Sequence, residues 1–109
     1  MDDGAFEAPR LDVARKVVFR PQAADEIINV RQWYESRRAG LGQEFVEAAD
    51  ALVGRLGANP FQFPRAHGEI RRAVLSRFPY AIYFRASDDA IVVLAIHGRQ
   101  DPSRWQQRA

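Results

Sequence analysis

Arginines, tyrosines and a histidine gather in the last third of this 109-residue chain: Arg71, Arg72, Arg77, Tyr80, Tyr83, Arg85, His97, Arg99 and Arg104, followed by Trp105. Guanidinium groups fork onto phosphate or carboxylate oxygens, aromatic rings stack on bases, and an imidazole transfers protons near neutrality. The set therefore admits three chemistries. It can bind nucleic acid through phosphate contacts and stacking, cleave RNA with His97 as general acid or base and arginines on the phosphate, or dock an acidic protein surface. Each residue also has a structural reading: His97 hydrogen-bonded at the end of a buried strand, Arg72 and Arg85 as exposed strand residues, Trp105 as an anchor closing the core.

Other chemistries lack their residues. His67 and His97 are the only histidines, they lie in separate segments, and there is no cysteine, so no metal site is expected. Gly40 and Gly42 lack the rest of a phosphate-loop fingerprint, and no cofactor is expected. Ser36, Ser76, Ser87 and Ser103 have no local histidine or acid that would mark a nucleophile. Glu44 and Glu47 read as a solvated helix face rather than paired acid–base carboxylates. The absence of cysteine makes the cytoplasm the simplest compartment. The longest apolar run, Ala90 to Ile96, is far short of the roughly 18 residues of a membrane span.

Charge is uneven along the chain. Residues 1–15 hold four acids against two arginines, whereas from Arg55 onward nine arginines face four acids. That excess suggests a surface facing a polyanion. Fifteen arginines to one lysine, with no threonine, fits a GC-rich coding sequence equally well.

These residues need a frame to hold them. Residues 1–15 mix acids with Gly4 and Pro9 and read as a flexible leader, leaving 16–109 as a single domain. Lys16–Arg20 is a β-favouring run stopped by Pro21, which suits the first turn of a helix. Ala23, Ile27, Val30 and Tyr34 then recur at helical spacing over 22–38, with Asp25 and Glu26 early and Arg37 and Arg38 late along the dipole. After a break at Ala39–Gly42, Phe45, Ala49, Leu52 and Leu56 form the stripe of a second helix over 43–56, antiparallel to the first. Residues 61–68 read as a crossing loop whose two phenylalanines plug the core edge. Period-two patterning predicts strands at 70–75, 80–86 and 90–97, the last two as a hairpin, and a helical turn at 101–105. The order strand, helix, helix, strand, strand, strand implies an α+β fold, with the helical hairpin on one face of a small, mainly antiparallel sheet.

The run Arg77-Phe78-Pro79-Tyr80-Ala81-Ile82-Tyr83-Phe84-Arg85 and, above all, Ala95-Ile96-His97-Gly98-Arg99-Gln100-Asp101-Pro102 with Trp105 resemble the RelE/ParE superfamily of type II toxins, on its ParE-like plasmid-stabilisation branch. The resemblance spans about residues 16–108. It implies a small bacterial toxin held inactive by an antitoxin encoded beside it. RelE-like members cleave mRNA on the ribosome with basic residues and a Tyr or His at the end of the sheet, while ParE-like members are described as poisoning DNA gyrase. The nucleases carry an arginine where this chain has Tyr or Ala around Tyr80–Tyr83, and a lysine cluster where it has Lys16 alone. That departure points to the ParE-like branch. Only His97, with Arg77, Arg85 and Arg99, could stand in for a nuclease constellation.

On this reading Arg71, Arg72, Arg77, Tyr80, Tyr83, Arg85, His97, Arg99, Arg104 and Trp105 face the target. A small, acidic, partly disordered antitoxin would dock on the outer helix surface at Trp33, Val46 and Val53, which fall off the core stripes. The same three residues could instead complete a wide core stripe. A basic nucleic-acid-binding module without toxicity remains a further reading.

Overall fold

The computed structural model describes residues 15–98. Arg99, Arg104, Trp105 and the helical turn expected at 101–105 lie outside the described residues, as do residues 1–14. Strand β1 (Lys16–Phe19) passes through Arg20 into helix α1 (Pro21–Arg37), with proline in the first turn as the sequence predicts. Helix α2 (Leu41–Ala58) starts two residues before the expected boundary, because Gly40 alone makes the left-handed turn, at φ 88°. Gly42 lies inside the helix and is needed there for close approach: a Cβ would stand 2.7 Å from the Arg31 carbonyl oxygen.

A single 3₁₀ turn (Pro60–Gln62) leads to β2 (Arg65–His67), where the sequence predicts only a crossing loop. All three β2 residues are exposed, so no hydrophobic alternation announces the strand; pairing with β3 creates it. Phe63 plugs the core as expected, but Phe61 stays half exposed. Strands β3 (Ile70–Val74), β4 (Tyr80–Ala86) and β5 (Ala90–Gly98) complete a five-stranded sheet in the order β1-β5-β4-β3-β2. β1 runs parallel to β5, and every other pair is antiparallel.

The helical hairpin covers one face of this sheet. Phe45, Ala49, Leu52 and Leu56 of α2 bury the predicted stripe against Ala73, Ile82, Phe84, Ile91, Val93 and Ile96. Each large aliphatic or aromatic side chain among them contributes about 1.5–3 kcal/mol by leaving water. Ile70, Ala81, Tyr83, Leu94 and Ala95 form a second buried cluster on the other face. An irregularity in the β4–β5 pairing, where Tyr83 meets Ala95 but Phe84 meets Val93, lets Leu94 and Ala95 both join that cluster.

Candidate functional site

The fold distributes the arginine- and tyrosine-rich segment over several surfaces. Arg72 lies opposite Tyr83 and Arg85 opposite Ile70, so strand alternation puts Arg72, Tyr83 and Arg85 on the face turned away from the helices. Tyr83 is wholly buried there, while Arg72 is exposed. Arg71, opposite Phe84, lies on the helix side, and its Nη1 donates to the Phe63 carbonyl at 2.7 Å. Tyr80 packs on the helix side as well, its ring centroid 6.2 Å from Tyr34 and 6.0 Å from Phe45. Burial, with Tyr80 adding to it, pushes the Tyr34 hydroxyl above its ordinary pKa.

Arg77 sits in the turn between β3 and β4 with φ 72°, an uncommon backbone for a side chain of this size. Its Nη2 meets Glu44 Oε1 at 3.1 Å, and Arg38 Nη2 meets Glu44 Oε2 at 3.2 Å. One helix carboxylate thus ties the interhelical link to the β3–β4 turn. The hollow beside it, lined by Glu44, Glu47, Ala48, Ser76 and Arg77, measures about 230 Å³, below the roughly 300–1,000 Å³ of ordinary small-molecule sites.

His97 pairs with Ala81 near the end of β5, beyond the point where β1 stops at Phe19 and Val93. With no strand alongside, the Ile96 N–H donates at 2.9 Å to Oε1 of Glu26 on α1, whose Oε2 lies 2.7 Å from His97 Nε2. One carboxylate thus takes the place of a continued strand and also holds the imidazole. The His97 side chain is only 6% exposed. With Nε2 as the donor, Nδ1 is a buried lone pair with no hydrogen-bond partner among the described residues. The sequence offers Glu26 as an early acid on the helix dipole, but α1 starts at Pro21, so Glu26 lies beyond the first turn and acts across space on β5.

Trp33 is 49% exposed on α1, with the Arg37 guanidinium 4.4 Å from its ring centroid. Val46 and Val53 are partly buried against the helix-side core. Sequence reasoning missed Glu26, and it missed the convergence of Arg15 and Arg55 on the Phe61–Phe63 corner. Glu26 and Arg15 act through contacts between remote segments, and Arg55 reaches Phe63 across the end of α2, none with a helical or strand period to signal it. No group of three potential metal ligands occurs among the described residues, and no described helix is long and apolar enough to cross a membrane.

No protein-family model matches the sequence, and no curated protein sequence matches it. Solved structures do. A chain from the chromosomal ParDE toxin–antitoxin system of P. aeruginosa superposes with a TM-score of 0.66 at 20% identity, covering 78% of this chain and 96% of that one. The chain has a RelE/ParE-like fold. A chain from the RelBE2 toxin–antitoxin complex of Mycobacterium tuberculosis matches at TM-score 0.58 and 17% identity, covering 82% of this chain and 95% of that one. The RelE/ParE-like framework agrees with the α+β arrangement predicted from the sequence, with β2 as an added edge strand.

Proposed function

We propose that this chain is the toxin of a type II toxin–antitoxin pair. It is ParE-like, acts in the bacterial cytoplasm by binding a macromolecular target, DNA gyrase first among candidates, and is silenced by a small acidic antitoxin. The placement of His97 carries the choice of branch. The imidazole of the final strand is buried and engaged by Glu26, which supports reading that strand as scaffolding for contacts over a proton-transfer role. Arg72 and Arg85 on the face away from the helices, Arg77 at the β3–β4 turn and Arg71 on the helix side are the contact residues, and Arg99, Arg104 and Trp105 join them on the sequence reading alone. Tyr80 on the helix side, Tyr83 buried on the opposite face and His97 held by Glu26 act as scaffolding. Half-exposed Trp33 is an aromatic anchor for the antitoxin, with Val46 and Val53, partly buried against the helix-side core, as further contacts on α2. The ParDE neighbour supports the partnership.

A second reading, ribosome-dependent mRNA cleavage, draws support from the RelBE2 neighbour. Expression without a partner separates the two. A gyrase poison arrests growth, triggers the DNA-damage response and blocks supercoiling by purified gyrase; a nuclease yields mRNA fragments that depend on ribosomes. Harmless expression of folded protein overturns both. His97→Gln sharpens the choice, because its amide can still donate to Glu26. Toxicity is retained if His97 is scaffolding, and falls on the order of a hundredfold or more if it transfers protons.

A further inference from the structure

We propose that the corner formed by Arg15, Arg55 and Arg71 around Phe61 and Phe63 binds the phosphate backbone of a nucleic-acid strand without reading its sequence. Three remote segments meet there: the residue leading into β1, the C-terminal part of α2, and β3. The Arg15 and Arg71 guanidinium carbons lie 5.2 and 5.1 Å from the centroid of the same Phe61 ring, and that of Arg55 lies 5.2 Å from Phe63. Backbone carbonyls hold two of the three guanidiniums. Arg15 Nε donates to Ser87 O at 3.1 Å, Arg15 N to Gly57 O at 2.9 Å, and Arg71 Nη1 to Phe63 O at 2.7 Å.

Each guanidinium carries five N–H donors, and these bonds use one side-chain donor on Arg15 and one on Arg71. Ion pairs among the described residues join Arg38 and Arg77 to Glu44, Arg65 to Glu69 and His97 to Glu26; none involves the three arginines of this corner. The two charges on Phe61 lie no more than about 10 Å apart, within about one Debye length at 0.1 M salt, so they repel until an anion bridges them. Rings and carbonyls that hold the guanidiniums in place lower the entropy lost when an anion binds.

Two features favour a phosphate chain. Guanidiniums already stand over the Phe61 and Phe63 rings, so recognition by base stacking gives way to charge and fixed donors, which suffice for a phosphate backbone. An acidic peptide would want a buried apolar anchor as well, and the corner offers only the half-exposed Phe61 ring. The proposal does not rest on the toxin reading.

Fluorescence anisotropy with a labelled 20-nucleotide oligothymidylate, titrated across a salt series, tests it. R15Q/R55Q/R71Q is expected to weaken binding at least tenfold and to flatten the slope of log K against log salt by about 2, as for three lost phosphate contacts. R15K/R55K/R71K should keep the slope and lose a few-fold in affinity. R31Q/R37Q, on the exposed surface of α1, should stay within about twofold of the original. If the triple glutamine variant does not fold, Arg55→Gln alone, which removes a ring contact, should lower the slope by about 0.7. The proposal is overturned if the folded corner variants bind as tightly as R31Q/R37Q. It is equally overturned if a 20-residue polyglutamate binds the unaltered protein more tightly than the oligonucleotide, which would assign the corner to an acidic protein.

Discussion

Glu26 concentrates two tasks in one carboxylate. β1 ends before β5 does, which leaves the Ile96 N–H without a strand partner, and Oε1 accepts it while Oε2 holds His97. Burial makes the arrangement consequential, because a stranded buried donor loses its water without regaining a bond. Glu26→Ala is expected to destabilise the fold by about 1–3 kcal/mol, read as a lower denaturant midpoint with an unchanged m-value. A loss below a few tenths of a kcal/mol would show that water reaches the end of β5. The histidine was legible in the sequence as a residue that matters; its partner, 71 residues away, was not.

The helical hairpin owes its geometry to its link. Gly40 supplies the left-handed backbone, and the Glu35 carboxylate accepts the Gly40 and Gly42 N–H groups, both at 2.9 Å. Those backbone bonds, with a smaller effect from Arg31 and Arg38, hold the Glu35 carboxyl below its ordinary value of 4.5. A lowered folded-state pKa means a contribution fully present above 4.5 and lost as the pH falls through the folded value. Glu35→Gln should therefore flatten the acid limb of the stability–pH curve, costing most near neutrality and converging with the unaltered protein in acid. Melting temperatures measured between pH 2 and 7 check this, and parallel curves for the two proteins would refute it. Gly42→Ala acts sterically: its methyl would press on the Arg31 carbonyl and Glu35, and a loss of about 1–3 kcal/mol is expected, seen in chemical denaturation. From the sequence the two glycines look alike as helix breakers. Only the packed hairpin separates them, one serving torsion and the other close approach.

Across the whole molecule, apolar residues occupy both faces of the sheet, and its basic residues are divided among surfaces that the linear sequence presents as one cluster. Arg72 and Arg85 belong to the face away from the helices, Arg77 is bound to Glu44 at the link, and Arg71 joins Arg15 and Arg55 on the helix side. Helix stripes, the β4–β5 hairpin and the α+β order follow from local periodicity, since burial on one face of a helix or strand imposes spacings of 3.6 or 2 that a sequence records directly. Those features the sequence determined by itself. The exposed edge strand β2, the Glu26–His97 pair and the separation of the arginines were decided by tertiary structure alone. β2 is fully exposed and exists only through its pairing with β3 a few residues on; the other two depend on which remote segments touch once the chain has folded, and a contact across 50 or 70 residues leaves no period to read.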